Sequence, residues 1–337
     1  MLFIVTTYLC LGLLLYFLLG GADFGAGIVE LFTSRKNRSR IRTTMYHAIG
    51  PIWEANHMWL IIAIVILFVG FPKIYTVMSI YLHIPLMIML VGIIARGTAF
   101  VFRHYDAVKD NMQVLYNSIF EYSSIITPLF LGIIAGSAIS GNINPEADKF
   151  MEAYVWSWLH WFSVAVGLFT VTLCGFLAAV FLIGEATDVY DKQRFIRKAR
   201  HFNIAAVICG ALVFLAAYKQ EIPLLNWLFG NAVSFIALMA ATVSLGLLWY
   251  LLRKGKSKIL RFLAGFQVSM ILLAISFSNF PDFIIIKNGT NISLWSSQAT
   301  ASTINALGWA LVIGSIFILP ALIYLIYSFQ KHQINEH

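Results

Sequence analysis

The sequence predicts an all-α polytopic membrane protein of about nine transmembrane helices, and three observations carry that prediction. Of its residues 60% are hydrophobic and only 11% charged, with a mean hydropathy of +0.82, whereas a soluble domain carries roughly a quarter charged residues. Apolar runs recur along the whole chain, each close to or above the roughly 20 residues that a helix needs to cross about 30 Å of hydrocarbon. Finally, Lys and Arg are sorted between alternate connections.

Taken in order, the apolar spans fall at 2–32, 44–71, 75–102, 115–138, 156–184, 202–218, 227–252, 262–280 and 304–330. The odd-numbered connections hold Arg35, Lys36, Arg38, Arg40 and Arg42, then Arg103 and Lys109, then Lys192, Arg194, Arg197, Lys198 and Arg200, then Arg253, Lys254, Lys256, Lys258 and Arg261. The even-numbered connections hold one cation each: Lys73, Lys149, Lys219 and Lys287. Short basic loops stay in the cytoplasm, so the N-terminus is expected outside and the C-terminus, after Lys331, inside. The longest connections, 139–155 and 281–303, are too short for a soluble domain, which leaves a single integral membrane unit. The formal charge of +8 is explained by inner loops that face anionic lipid, and nothing else in the chain suggests nucleic acid. The first span has no basic n-region or small-residue cleavage site, and reads as a retained helix. Cys10, Cys174 and Cys209 lie within spans without paired spacing, as small apolar residues rather than a disulfide or metal framework.

Charge inside a membrane is costly, so buried ionisable residues are functional candidates. At 1.5 Å per residue, Asp23 lies about 13 Å above the inner interface on the first helix. Glu54 lies about 7–15 Å deep on the second, and Arg96 about 10 Å deeper than Arg103 on the third. Glu121 reaches a similar level on the fourth. Static ion pairing would join such a bundle, and Arg96 with Asp23 or Glu54 would do so. Three acids against one base, however, leave a carboxyl protonated or linked to water, which points to a proton path or a charged ligand.

Asp23 lies in Gly20-Gly21-Ala22-Asp23-Phe24-Gly25-Ala26-Gly27, where Gly21 and Gly25 at four-residue spacing allow close helix approach. Gly50-Pro51-Ile52-Trp53-Glu54-Ala55-Asn56-His57-Met58-Trp59 is the densest polar and aromatic stretch. Its Gly-Pro suits a helix start. Glu54 and His57 are expected on one face, as are Trp53 and Asn56. Histidine in a membrane helix raises haem ligation. His57 with His83 is the pair to test, His160 lies near a span, and His47 and His104 lie near inner ends. Hydrogen-bonding histidines are the better reading, because His83 is nearer the outer loop than His57. The chain has no nucleotide, zinc or large-cofactor motif, so it reads as a subunit, a channel or a transporter.

Gly20–Gly27, Pro51-Ile52-Trp53-Glu54-Ala55-Asn56-His57-Met58-Trp59-Leu60 and Arg96-Gly97-Thr98-Ala99-Phe100-Val101-Phe102-Arg103 resemble, in order and spacing, the three signature stretches of subunit II of cytochrome bd-type quinol oxidases. The resemblance covers the chain in length and span count, with specific motifs in about its first 105 residues. It implies two four-helix bundles plus a peripheral helix: 1–138 with the buried charges, 156–280, and 304–330. It also implies a bacterial cytoplasmic membrane complex that oxidises quinol and reduces dioxygen to water. This chain itself would bind no cofactor or metal. The b-type haems, with a d-type haem as an option, belong to a partner subunit I, and a small accessory single-helix subunit is an optional further partner beside membrane lipid. The resemblance carries over Asp23, Glu54 and Arg96 as a buried polar network near the subunit interface, with Trp53, Asn56 and Trp59 as the signature around it.

Two departures stand out. The acid after Trp53 is Glu where many relatives have Asp. Val101 stands where relatives often have an acid two residues before the arginine, so a proton route would run differently here, with Glu121 as the replacement suggested by depth. The competing function is a proton- or ion-coupled secondary transporter, which buried carboxylates and an arginine also suit. Against it, the two halves show no matched broken helices or paired charges.

Overall fold

The computed structural model describes residues 1–50, 53–105, 112–186, 188–254 and 257–335. Among them are nine helices long and apolar enough to span a membrane: α1 (Leu2–Leu31), α2 (Trp53–Gly70), α3 (His83–Arg103), α4 (Met112–Ile139), α5 (Trp161–Glu185), α6 (Val189–Lys219), α7 (Ala232–Lys254), α8 (Lys258–Asn279) and α9 (Ala301–Leu322). The chain is a multi-pass membrane protein. The expected Gly-Pro helix start includes Pro51 and Ile52, which lie outside the described residues, as do Lys109, Asp110 and Lys256.

Three spans differ most from the sequence expectation, each for a local reason. The second begins at Trp53 rather than at 44, because the polar, arginine-rich segment Arg35–Ile49 folds as a separate helix. The third begins at His83 rather than at 75. Residues Pro72–Tyr81 form their own helix with proline in its first turn, and it stops at Leu82, where φ −112° and ψ 20° leave the helical region. The sixth begins at Val189 rather than at 202. The Asp188 side chain accepts the Tyr190 N–H at 3.0 Å and caps this helix, so the cations at 192–200 ride on its first turns. The Tyr190 N–H, together with the Arg40 guanidinium, holds the Asp188 carboxyl below its usual range.

α5 is the most enclosed span. It packs along α4 and α6 and along the second half of α1, while α3 lies along α4 and α7 along α8. Glycine permits the closest approach. A Cβ at Gly25 would collide with the Cys174 carbonyl of α5, and one at Gly27 with the Ser124 hydroxyl of α4. The first half of α1 packs instead on α2 and α9, where Tyr8 Oη meets Ser315 Oγ at 2.8 Å. Between these halves, Tyr16–Gly20 forms one π-helical turn. Such bulges inside α-helices are frequent at functional sites.

At the end of the bundle opposite the arginine-rich segment, the connections tie to one another. Strands β1 (Asp282–Ile284) and β2 (Ile292–Ser293) pair antiparallel. Ile285 N–H donates to Ala138 O and Lys287 N–H to Ile143 O, each at 2.9 Å, and Ala299 N–H donates to Gly70 O.

Candidate functional site

The site lies between α1, α3 and α4, toward the arginine-rich end. Asp23 stands two turns before the end of α1, on a face that glycines keep thin, and its side chain is fully buried. Arg96 reaches it from α3 and is 1% exposed. Arg96 Nη1 donates to Asp23 Oδ2 at 2.6 Å, and Nη2 donates to Oδ1 at 2.9 Å and to the Asp23 carbonyl at 2.8 Å. Arg96 Nε donates to Ser124 Oγ of α4 at 3.0 Å. The fork thus meets a carboxylate bidentately, the geometry for which guanidinium is suited. Phe24 and Phe120 place their rings 5.2 and 4.8 Å from the guanidinium carbon, which excludes water from its faces. His57 of α2 brings Nε2 to 3.3 Å from Asp23 Oδ2.

A second layer of charge lies closer to the arginine-rich end. Glu121 of α4 accepts from Arg38 Nη1 on both oxygens, at 3.1 and 3.0 Å. The same arginine donates to the carbonyls of Leu31 and Thr33, so it also satisfies the free end of α1. Glu30 of α1 is wholly buried. Its Oε1 takes Arg42 Nε at 2.8 Å and Nη2 at 2.7 Å, and its Oε2 lies 3.0 Å from Arg103 Nη1. A cavity of about 10 Å³ separates the two layers, lined by Asp23, Arg96, Arg103 and Tyr46 with Ala26, Met45, Phe100 and Phe120.

Of the expected four, Asp23 and Arg96 meet directly, and Glu121 joins the second layer with Arg38. Glu54 joins neither: it is exposed and pairs with no described residue. The buried side of α2 carries Asn56, Ala63, Ile66, Leu67 and Gly70, and Glu54, two residues before Asn56, is turned away by about 200°. The shared depth expected of four residues therefore becomes two layers. Trp53 stacks on Phe100 at 5.2 Å, Asn56 is buried, and Trp59 is half-buried with its backbone toward Gly12. Gly21 faces Cys174 Sγ.

Glu30 is the residue that the sequence reading overlooked. Its signal was present: it follows Asp23 by seven residues, as Arg103 follows Arg96 by seven, and both intervals return to the same helix face.

His57 and His83 do not form a pair. His57 lies in the first turns of α2 and His83 opens α3, so they occupy opposite ends of two consecutive, oppositely directed spans. His83 Nδ1 lies 2.7 Å from Ile80 O, and His160 caps α5, where burial pushes its imidazole down to about 4. Among the described residues, no group of three or more His, Cys, Asp or Glu is placed to hold a metal ion.

Comparison with known proteins matches this arrangement to one group. Cytochrome bd ubiquinol oxidase subunit 2 of Bacillus subtilis is 30% identical over 225 residues, 65% of this chain and 63% of that protein's length. Cytochrome bd-I ubiquinol oxidase subunit 2 of Escherichia coli K12 is 22% identical over 326 residues, covering 87% of this chain and 84% of the relative. The solved structure of the bd oxidase from Geobacillus thermodenitrificans shares the fold, with a TM-score of 0.70 at 21% identity, over 96% of this chain and 98% of the matched one. The family model described as cytochrome bd terminal oxidase subunit II matches residues 1–329, and the chain belongs to that family.

Proposed function

We propose that this chain is the haem-free subunit II of a membrane quinol oxidase, and that its buried Asp23–Arg96 site lies on a proton route serving a haem-bearing subunit I. In that complex quinol is oxidised and dioxygen reduced to water, on haems of the b type, with a d type as an option, held by the partner. The chain alone is expected to have little or no activity. The helices group as two four-helix bundles, α1–α4 and α5–α8, with α9 outside them, and the arginine-rich connections face the cytoplasm. Lipid covers the remaining apolar surface, and an accessory single-helix subunit fits the same setting.

The observation that carries this reading is the fully buried Asp23 carboxylate, held on both oxygens by Arg96 while His57 approaches one of them. Arginine keeps its proton, so Arg96 orients and compensates Asp23. The groups able to exchange a proton here are carboxylate and imidazole, supported by water. Exposed Glu54 is the acid left to face subunit I. Tagged chain is drawn from native membranes, and its optical spectrum, subunit composition and quinol-driven oxygen uptake are recorded. Haem bands, a second large membrane subunit and oxygen uptake are expected. A haem-free chain that purifies alone and consumes no oxygen overturns the reading.

A further inference from the structure

Two ion pairs repeat at one interval between two parallel helices. Asp23 and Glu30 on α1 are seven residues apart, as are Arg96 and Arg103 on α3, and the structure pairs Asp23 with Arg96 and Glu30 with Arg103. At 1.5 Å per residue the two rungs stand about 10 Å apart along the helices. Between them lie Ala26 and Phe100, one turn from each rung, and the water-sized cavity that Asp23, Arg96 and Arg103 line. The lower rung is incompletely satisfied. Glu30 Oε2 and Arg103 Nη1 sit at ion-pair distance without hydrogen-bond alignment, and both, with Arg103 Nε, are buried without a hydrogen-bond partner. A buried water occupies polar sites that have room for it and two to four polar partners. This cavity has the room, and Asp23, Arg96, Arg103 and Tyr46 line it, while Glu30 meets it only through Arg103.

Glu30 also connects outward. Its other oxygen is held by Arg42, whose side chain is 27% exposed. Partly exposed Arg42, buried Glu30, Arg103, the cavity and the Asp23–Arg96 pair are therefore contiguous from the surface to the core. Along that line arginines do not release protons, so only Glu30, Asp23 and water between them can pass one on.

We propose that Glu30 is the second proton-carrying carboxylate of this site: it takes a proton from solvent at the arginine-rich face and passes it, through water held by Arg103 in the cavity, to Asp23. The proton moves from bulk water to a Glu30 oxygen, then to the cavity water as that water releases another to Asp23, and Glu30 returns to carboxylate. The proposal rests on the Asp23 route described above, and the test separates the two.

The complex is purified with Glu30→Gln, Glu30→Asp and Asp23→Asn, and haem spectrum and quinol-driven oxygen uptake are recorded across neutral pH. The expected Glu30→Gln complex carries its haems, turns over at least about tenfold more slowly, a loss below the roughly hundredfold at which the contribution of a positioned proton-transfer group begins, and has a displaced pH profile. Glu30→Asp regains most of the rate. Wild-type turnover in Glu30→Gln with slow turnover in Asp23→Asn overturns the role of Glu30 and leaves the Asp23 route standing. Wild-type turnover in both overturns the route itself. If Glu30→Gln fails to assemble, the pH profile of Glu30→Asp decides: a displaced profile supports proton transfer, and an unchanged one makes Glu30 a structural clamp.

Discussion

At the scale of single residues, Arg96 carries the most consequence. It connects three helices, through Asp23 on α1 and Ser124 on α4 from its own place on α3. Removing its charge leaves the Asp23 carboxylate buried without compensation, a change that costs about 3–5 kcal/mol in other proteins. Arg96→Leu is therefore expected to lower the amount of folded chain in membranes severely, and Arg96→Lys less so, since lysine keeps the charge but loses the bidentate fork. Quantifying membrane-inserted chain and its melting temperature checks both. Equal levels for wild type and Arg96→Leu would mean that Asp23 is neutral or hydrated without its partner. Beside this pair, His57 shows how placement gives a residue a partner that spacing alone does not name. Its ring approaches Asp23 and packs near Tyr16, Phe24 and Trp53, while neighbouring Glu54 faces away.

At the scale of elements, α1 behaves as two helices joined end to end. Its first half belongs with α2 and α9 and its second half with α4 and α5, and the π-helical turn at Tyr16–Gly20 stands at the change. The second half is held close by glycines, so its fit tolerates little added volume. Gly25→Ala places a methyl against the Cys174 carbonyl, and backbone has no rotamer by which to yield. A loss of about 1–3 kcal/mol is expected from such overpacking, read as a lower melting temperature. Gly246→Ala on α7, which meets nothing within 4 Å, serves as the neutral control. If both variants melt like the wild type, α1 and α5 separate more easily than this packing implies. The separate helix Arg35–Ile49 has its own role: Arg38 and Arg42 secure Glu121 and Glu30, so a connection that reads as a topogenic basic loop also completes the buried site.

At the scale of the whole molecule, the charge asymmetry makes a prediction about topology. Ser39, in the arginine-rich segment, and Gln298, in the connection before α9, are both exposed and lie at opposite ends of the bundle. With an N-terminus outside, a membrane-impermeant thiol reagent is expected to label Gln298→Cys in intact cells and Ser39→Cys only in inverted vesicles. The reverse pattern would invert the chain and with it the side from which protons reach Glu30.

Much of this protein was legible in the sequence. Span number follows from hydrocarbon thickness, since an apolar run must be long enough to satisfy its own backbone across the bilayer. The partners open to Arg96 were few, Asp23 or Glu54, because a charge so costly to bury needs an opposite one. What hydropathy blurs are interruptions, and so the helix ends at Ile49 and Leu82 are run into their neighbouring spans. Depth along a helix can be counted from residue number, but rotation about its axis depends on what packs against it. That is why Glu54, at a suitable depth, turned outward, while Glu30 turned inward between Arg42 and Arg103. The sequence by itself determined which residues lie in the membrane and roughly how deep. Only the tertiary structure decided which of them meet, because long arginine side chains choose partners across helices through packing that no single span encodes.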